Sequence, residues 1–376
     1  MNKNDIYMIQ GTDYKQMTLE LLEKCRLAED IGDRGRRIGL KPNLVLAKPA
    51  SSGAVTHSEL VDGVLTYLKG AGFYNIVVLE SSWVGDRTSQ AVKASGILEV
   101  CHRHQVEFLD LQKDSSIACT AENMDIAVCR KALEIEYLIN MPVVKGHCQT
   151  LVTCALKNSK GLIPGTEKRR FHTMGLHEPI ARLNTIIRQN FILADNICGD
   201  LDFEEGGNPV VMDRILAFKD PVLCDSFAAE TLGYHPEDIA YIRLAEQMGV
   251  GSTDLSKANI HQLREGYKKK GQADRKSKGR VGQLAGYAAP KDACSACYGS
   301  LIYALDRLDR EKGLTGRKGK IAVGQGYQGQ KGEIGVGRCT GCFEKNLPGC
   351  PPKAVDILKF LKDEWKDERG TQWKRK

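Results

Sequence analysis

Along the first 250 residues, short apolar runs alternate with segments whose apolar residues recur at helical spacing. "RIGLKPNLVL" (37–46) predicts a strand running into a loop. "HSELVDGVLTYLKGAG" (57–72) predicts a helix, with Thr56 placed to cap it and Gly70 and Gly72 to end it. "NIVVLESS" (75–82) predicts the next strand, and further candidates lie in "VEFLDL" (106–111), "YLINMPVV" (137–144), "FILADNI" (191–197) and "RILAFKDP" (214–221). The last of these leads into a helix, "DPVLCDSFAAETLG". This alternation predicts an α/β fold, a mainly parallel sheet with helices on both faces. Polar residues just past the strand ends of such a sheet face its ligand crevice. They are Lys41 and Asn43, then Glu80, Ser81 and Ser82, then Lys145 and His147, then Asp195, and their convergence predicts one polar pocket.

The pattern changes near residue 252. "STDLSKANIHQLREG" (252–266) is compatible with a helix, but "REGYKKKGQADRKSKGR" (264–280) is too basic and glycine-rich for a core. The expected organisation is an α/β domain over 1–255, a basic linker over 256–289, and a small cysteine module with a basic tail over 290–376. Within that module "SACYGSLIYALDRLDREKG" predicts a helix, "KIAVGQG" a strand and "KAVDILKFLKDEW" a closing helix.

The 376 residues, 42% of them hydrophobic, are enough for two or three packed units. The N-terminus lacks a basic region followed by an apolar run, and no stretch reaches the roughly 18 apolar residues of a membrane span. The chain is therefore expected in the cytoplasm, without a membrane partner. Disulfides seldom persist there, so its 13 cysteines read as buried thiols, metal ligands or reactive groups. The net charge of +7 collects in the basic segment and the C-terminal tail, a solvated linker or a docking face for an acidic partner. Aromatic residues do not interleave with the basic ones, so no nucleic-acid partner is expected.

Five cysteines gather late in the chain: Cys294-x2-Cys297, then Cys339-x2-Cys342, then Cys350 followed by Pro351 and Pro352. A C-x2-C pair suits an iron–sulfur cluster or a tetrahedral zinc. The Cys-Pro ending, and Gly335, Gly337, Gly341 and Gly349 beside the cysteines, favour a 4Fe-4S cluster, with zinc and plain buried thiols as alternatives. The other cysteines, at 25, 101, 119, 129, 148, 154, 198 and 224, read as core thiols, with Cys148 and Cys154 flanking a basic segment. "GQGYQGQKGEIGVG" lacks the Gly-Lys-Ser/Thr ending of a phosphate loop.

That basic segment, "MPVVKGHCQTLVTCALKNSKGLIPGTEKRRFH" (141–172), holds Lys145, His147, Lys157, Lys160, Lys168, Arg169, Arg170 and His172 between apolar or tight-turning stretches. Such a set suits a carboxylate or phosphate, ordinary surface lysines being the alternative. The histidines suit proton transfer near neutral pH, and Asp195 is placed to orient a histidine or lysine. Asp200, Asp202, Glu204 and Glu205 read as an acidic loop, a divalent-ion site being the alternative; Asp220 and Asp225 read as a helix cap and a first-turn charge.

Several stretches together resemble the domain-of-unknown-function 362 family, whose members often carry iron–sulfur motifs. They are "LKPNLV" (40–45), "THSELVDGVLTYLKGAG" (56–72), "VLESS" (78–82), "MPVVKGHCQTLVTCALKNSKGLIPG" (141–165), "FHTMG" (171–175), "ADNICG" (194–199), "EEGGNP" (204–209) and "DPVLCDSFAAETLGYHPEDIAYIRLAEQMGVG" (220–251). Asn196 stands where that family more often has glycine. "CSACYGSL", "VGRCTGC" and "LPGCPPKAVDIL" resemble the proximal-cluster motif of nickel–iron hydrogenase small subunits, which implies Cys294, Cys297, Cys339 and Cys350 as ligands and Cys342 as an alternate. "GHCQTLVTCALKNSKGLIPG" is remotely similar to part of the nickel-pincer lactate racemase, implying a small-carboxylate pocket with Lys160 and His172 near it.

The expectation that joins both parts is an iron–sulfur oxidoreductase of anaerobic metabolism, passing electrons between a ferredoxin-like donor or partner redox protein and an anionic small molecule. Lys145, Lys157 and Lys160 would polarise the anion, and His147 or His172 would supply protons. Asp195 would orient one of them, and Lys41, Asn43, Glu80, Ser81, Asn158, Arg169 and Arg170 would complete the binding set. The alternatives are an electron carrier or maturation protein without turnover, and a non-redox lyase or racemase with a structural cluster.

Overall fold

The computed structural model describes residues 1–206, 209–264, 280–314 and 319–365. The chain divides into two compact units, Met1–Lys276 and Ser277–Lys376.

In the first unit the described strands are β1 (Asp5–Gln10), β2 (Ile38–Pro42), β3 (Ile76–Glu80), β4 (Glu107–Asp110), β5 (Ser116–Ala121), β6 (Met124–Cys129), β7 (Tyr137–Met141), β8 (Lys145–His147), β9 (Leu151–Thr153), β10 (Phe191–Asp200), β11 (Pro209–Phe218) and β12 (Asn259–Gln262). Eight form one sheet in the order β12-β1-β11-β10-β7-β2-β3-β4. β10, β7, β2, β3 and β4 pair in parallel. β12 is parallel to β1, and β11 runs against both β1 and β10.

Every residue of β2, β3, β7 and β10 is buried, as expected of parallel strands covered on both sides. Side chains alternate between two cores, because successive strand residues point to opposite faces. Ile38, Leu40 and Leu193 pack with Leu21, Leu60, Val64 and Val100 from the helices Tyr14–Lys24, Ser58–Gly70 and Ile97–Arg103. Ile192, Ala194 and Leu216 pack on the other face with Ile180, Ala228 and Ile242 from His177–Ile186, Pro221–Thr231 and Ala240–Gln247.

Three local expectations are corrected. Thr56 does not cap the helix Ser58–Gly70, whose first turn follows His57 without a side-chain cap. Its hydroxyl instead donates to Met141 O at 2.8 Å and accepts from Asn43 N at 2.7 Å, tying a loop to the ends of β7 and β2. Asp225 is not a first-turn charge: it lies beyond the first turn and is fully buried, accepting from Leu156 N and the Tyr241 hydroxyl, and burial pushes its pKa up to about 7. Asp220 does cap Pro221–Thr231, accepting from Val222 N and Leu223 N. Residues 252–262 are not helical beyond the short turn Leu255–Lys257; β12 follows and joins the sheet edge, so the first unit extends beyond residue 255. Most of the basic segment, 265–279, lies outside the described residues.

The second unit has its own sheet, β13 (Ala288–Pro290), β14 (Ile321–Val323), β15 (Ile334–Val336) and β16 (Lys345–Leu347), in that order and all parallel. The helices Ser295–Arg310 and Ala354–Glu364 pack together, burying Leu301, Leu305, Ile357 and Leu361. No helix among the described residues is long and apolar enough to cross a membrane.

Candidate functional site

The carboxyl ends of β2, β3, β7 and β10 carry the chemistry of the first unit. Lys41, at the end of β2, is fully buried, and its Nζ lies 2.6 Å from Glu80 Oε2 at the end of β3. Burial pushes the Lys41 pKa down and the Glu80 charge opposes that shift. Glu80 Oε1 accepts from Ser81 N at 2.7 Å. The backbone of Gly161 presses on this pair, because a Cβ there would meet Glu80 Oε1 at 1.8 Å. Lys168 reaches in from the helix Gly165–Thr173 and donates to the Ser81 hydroxyl at 2.8 Å and Ser82 O at 2.7 Å; burial pushes its pKa down to about 8.

A second group centres on Glu204, which follows the β10 strand. Lys157 Nζ donates to Glu204 Oε2 at 2.9 Å, and His147 Nε2 faces the same oxygen at 3.0 Å. The other His147 nitrogen, Nδ1, accepts from Gln149 N and Thr150 N, each at 3.0 Å. Two amides on Nδ1 leave the ring proton on Nε2 and oppose a second one. Burial first, then Lys157 and Lys160, take the His147 pKa down to about 4 against the pull of Glu204. Glu204 is held ionised by His147 and Lys157, although its burial acts the other way. Next to it Glu205 is buried with neither carboxylate oxygen hydrogen-bonded, and burial plus the Glu204 charge push it up to about 8. Adjacent carboxyls pushed in opposite directions are the usual physical basis of an acid and a base in one site.

Lys145 is held among neutral oxygens. Its Nζ donates to Ala54 O, to Glu204 O at 2.9 Å and to Asn43 Oδ1 at 3.4 Å, and burial lowers its pKa to about 7. Asn43 Nδ2 donates to Asn158 Oδ1 at 3.1 Å, and Asn158 Nδ2 donates to Asn140 Oδ1 at 2.7 Å. This amide chain links the Glu204 group to the strand ends at Lys41.

Lys41, Asn43, Glu80, Ser81, Lys145, His147, Lys157 and Asn158 are thus neighbours, but as a buried polar network, none more than 8% exposed, rather than an open pocket. His172 is also buried, and burial followed by Lys160 drives its pKa well down; Lys160 itself is half-buried. Arg169 and Arg170 are both exposed on the helix that sends Lys168 inward, and Arg170 pairs with Glu167. The acidic-loop reading of Glu204 and Glu205 is replaced by burial at 3% and 8%.

The histidine that Asp195 holds is His57, whose place before an amphipathic helix gives no sign of a partner so distant in sequence. Asp195 Oδ2 accepts from His57 N at 2.8 Å and lies 2.9 Å from His57 Nδ1. Burial opposes protonation of His57, yet Asp195 and then Cys198 hold its pKa up at about 11.

The low His147 pKa has a consequence for stability. A histidine whose folded pKa lies below its unfolded value contributes stability above about pH 6.5, and that contribution is lost as pH falls through about 4. His147→Asn retains an acceptor for the two amides, so the wild type should lose on the order of 2 kcal/mol relative to this variant between those pH values. Urea midpoints at pH 7 and pH 4.5 measure it, and parallel losses in the two proteins would contradict the assignment.

In the second unit, Cys294 precedes the helix Ser295–Arg310 and Cys297 lies in its first turn, four and seven residues after β13. Cys339 follows β15 by three residues and Cys350 follows β16 by three. Parallel strands release their carboxyl ends on one edge, so all these turns leave the same edge. Two amides from the loop after β14 point at sulfur: Gln325 Nε2 donates to Cys294 Sγ and Gln328 Nε2 to Cys339 Sγ, each at 3.6 Å. Arg338 N donates to Gly349 O at 2.8 Å and joins the Cys339 and Cys350 turns. Gly337 sits at φ 97°, a left-handed backbone that suits glycine. Cys342 and Cys350 are exposed, and none of the five is in a disulfide.

Fold and site define an α/β protein with a buried lysine–glutamate–histidine network at the carboxyl edge of a mainly parallel sheet, followed by a separate cysteine-bearing unit. The chain belongs to the family described as domain of unknown function DUF362, whose model matches residues 38–230. That match ends before the second unit begins. A thylakoid-associated protein of Synechocystis sp. is 22% identical over 230 residues, which cover 58% of this chain and 70% of that protein. A solved Thermotoga maritima protein matches at TM-score 0.38 and 16% identity, over 63% of this chain and 60% of its own. The lactate racemase apoprotein of Thermoanaerobacterium thermosaccharolyticum matches at TM-score 0.38 and 13% identity, over 64% of this chain and 56% of its own. Both likenesses are too slight to carry an argument about this chain.

Proposed function

We propose that this protein is a 4Fe-4S oxidoreductase that passes electrons between a ferredoxin-like donor, or another redox protein, and an anionic small molecule bound by the first unit. The observation that carries the reading is the common edge from which the Cys294, Cys297, Cys339 and Cys350 turns leave three of the four parallel strands, with glutamine amides from the loop after the fourth directed at two of the sulfurs. Those four would hold the cluster, and Cys342, exposed two residues past the Arg338–Thr340 turn, is the alternate ligand. The group supplies one-electron transfer when bound, at a potential tuned by hydrogen bonds to its sulfurs. Tetrahedral zinc on the same cysteines is the alternative.

In the first unit, Lys157, Lys160 and Lys145 supply positive charge for a carboxylate or phosphate. Lys145 and Glu205, at about 7 and 8, change protonation near neutral pH and are suited to hold and release a proton beside that anion.

The test is metal and acid-labile sulfide analysis with electron paramagnetic resonance on anaerobically purified protein, before and after dithionite. About four irons per chain are expected, with a reducible signal lost in Cys294→Ala and kept in Cys342→Ala. Zinc or no metal would sink the redox reading. A reducible cluster that no small anion reoxidises, or whose reoxidation is unchanged in Lys157→Met, would leave an electron carrier in its place.

A further inference from the structure

β10 contains an irregularity beside His57. In a regular strand, residues three apart point to opposite faces, so Asp195 and Cys198 should not share a neighbour. The pairing of β10 with β11 shifts register between Asn196 and Cys198. Such a bulge re-aims the following side chain, and it brings both residues to one imidazole. His57 Nδ1 lies 2.9 Å from Asp195 Oδ2, and His57 Nε2 lies 3.8 Å from Cys198 Sγ. The sulfur also lies 3.4 Å from Ala50 O, in the loop that leads to His57. Cys198 is 5% exposed, and beside it the half-buried Tyr14 sets its ring 5.7 Å from that of His57. The Tyr14 hydroxyl donates to Asp213 Oδ1 at 2.8 Å, so among the described residues the charged or titratable groups facing His57 are Asp195, Cys198, Tyr14 and, through Tyr14, Asp213.

We propose that Cys198, His57 and Asp195 form a second reactive centre in this protein, a thiol–imidazole–carboxylate relay that accepts an acyl group from a small activated acyl donor such as a thioester. The roles follow from the contacts. Asp195 fixes the ring through Nδ1, which turns Nε2 toward sulfur, and a protonated His57 stabilises the Cys198 thiolate. The thiolate attacks the acyl carbon, a new C–S bond forms, the C–S bond to the leaving group breaks, and the departing thiolate takes the Nε2 proton. Water or a second thiol then receives the acyl group and returns Cys198; no electron leaves the system. Three other first-unit thiols are masked, because burial pushes Cys25, Cys101 and Cys129 up to about 12. Cys198, read from the sequence as one more core thiol, is set apart by the histidine that the bulge brings to it.

The centre is independent of the redox reading and is tested without it. The full chain is treated with iodoacetamide, and separately with p-nitrophenyl acetate as an activated acyl donor, and each cysteine is followed by peptide mass spectrometry. Cys198 should take one label per chain, reacting at least tenfold faster than Cys25, Cys101 or Cys129. His57→Gln should slow both reactions at least tenfold, and Asp195→Asn should do the same less steeply. Acetylation of wild-type Cys198 by the ester decides the matter even if a variant fails to fold. An unlabelled Cys198 or a rate unchanged in His57→Gln would overturn the assignment, as would alkylation without acetylation by the ester for the acyl-transfer step.

Discussion

Glu80→Ala should destabilise the first unit by about 3–5 kcal/mol, because it strands the Lys41 ammonium in a fully buried site. The attraction between the two charges is not itself the source of so large a number. Taking both from water costs nearly what their contact returns, and the penalty appears when one is removed and the other stays. The double variant Lys41→Met, Glu80→Leu should therefore recover much of the loss, by about 2 kcal/mol or more. Urea denaturation followed through Trp83, three residues beyond Glu80, reads the midpoint, and an unchanged slope shows that stability rather than compactness has moved. If Glu80→Ala costs less than about 1 kcal/mol, the Lys41–Glu80 pair is not buried as described.

Gly146→Ala should be comparably severe, at about 3 kcal/mol. A Cβ at this position would lie 2.1 Å from Leu201 O and 2.7 Å from Asp202 N, so backbone rather than a movable side chain would have to yield. The displaced segment runs on to Glu204, and the substitution should also separate that carboxylate from Lys157 and His147. Gly70→Ala is the matched control. It stands at the last position of Ser58–Gly70 with nothing within 4 Å of an added Cβ, and should be neutral or mildly stabilising. Thermal unfolding of both variants beside the wild type measures the contrast, and equal effects would refute the close approach of β8 to the segment after β10.

The sheet was legible because parallel strands buried on both faces leave dense apolar runs. "IVVLE" and "YLINM" are such runs, and the helices between them show their amphipathic spacing in plain order. Elements with weaker patterns escaped: β1, the β5–β6 hairpin and the short β8 and β9 have mixed composition, and β12 is an exposed edge strand stabilised by its pairing with β1. Thr56 looked like a helix cap because capping is a local property; its partners, Asn43 and Met141, are distant in sequence.

For the site, the sequence by itself determined where the chemistry begins: at strand ends, in the 141–172 segment and among five late cysteines. Strand order and residue type suffice for that, since polar side chains past parallel strands are carried to one edge. Tertiary structure alone decided which of these groups face inward and what each of them meets. The helix Gly165–Thr173 buries Lys168 and exposes Arg169 and Arg170, though all three are adjacent and equally basic. Glu204 and Glu205 form part of an interior network, Asp195 holds His57, and a single register shift in β10 brings Cys198 to the same ring. These are contacts between residues 47 to 141 positions apart. Local pattern records a side chain's polarity, while its partner, and with it the protonation state, is set by how distant segments pack.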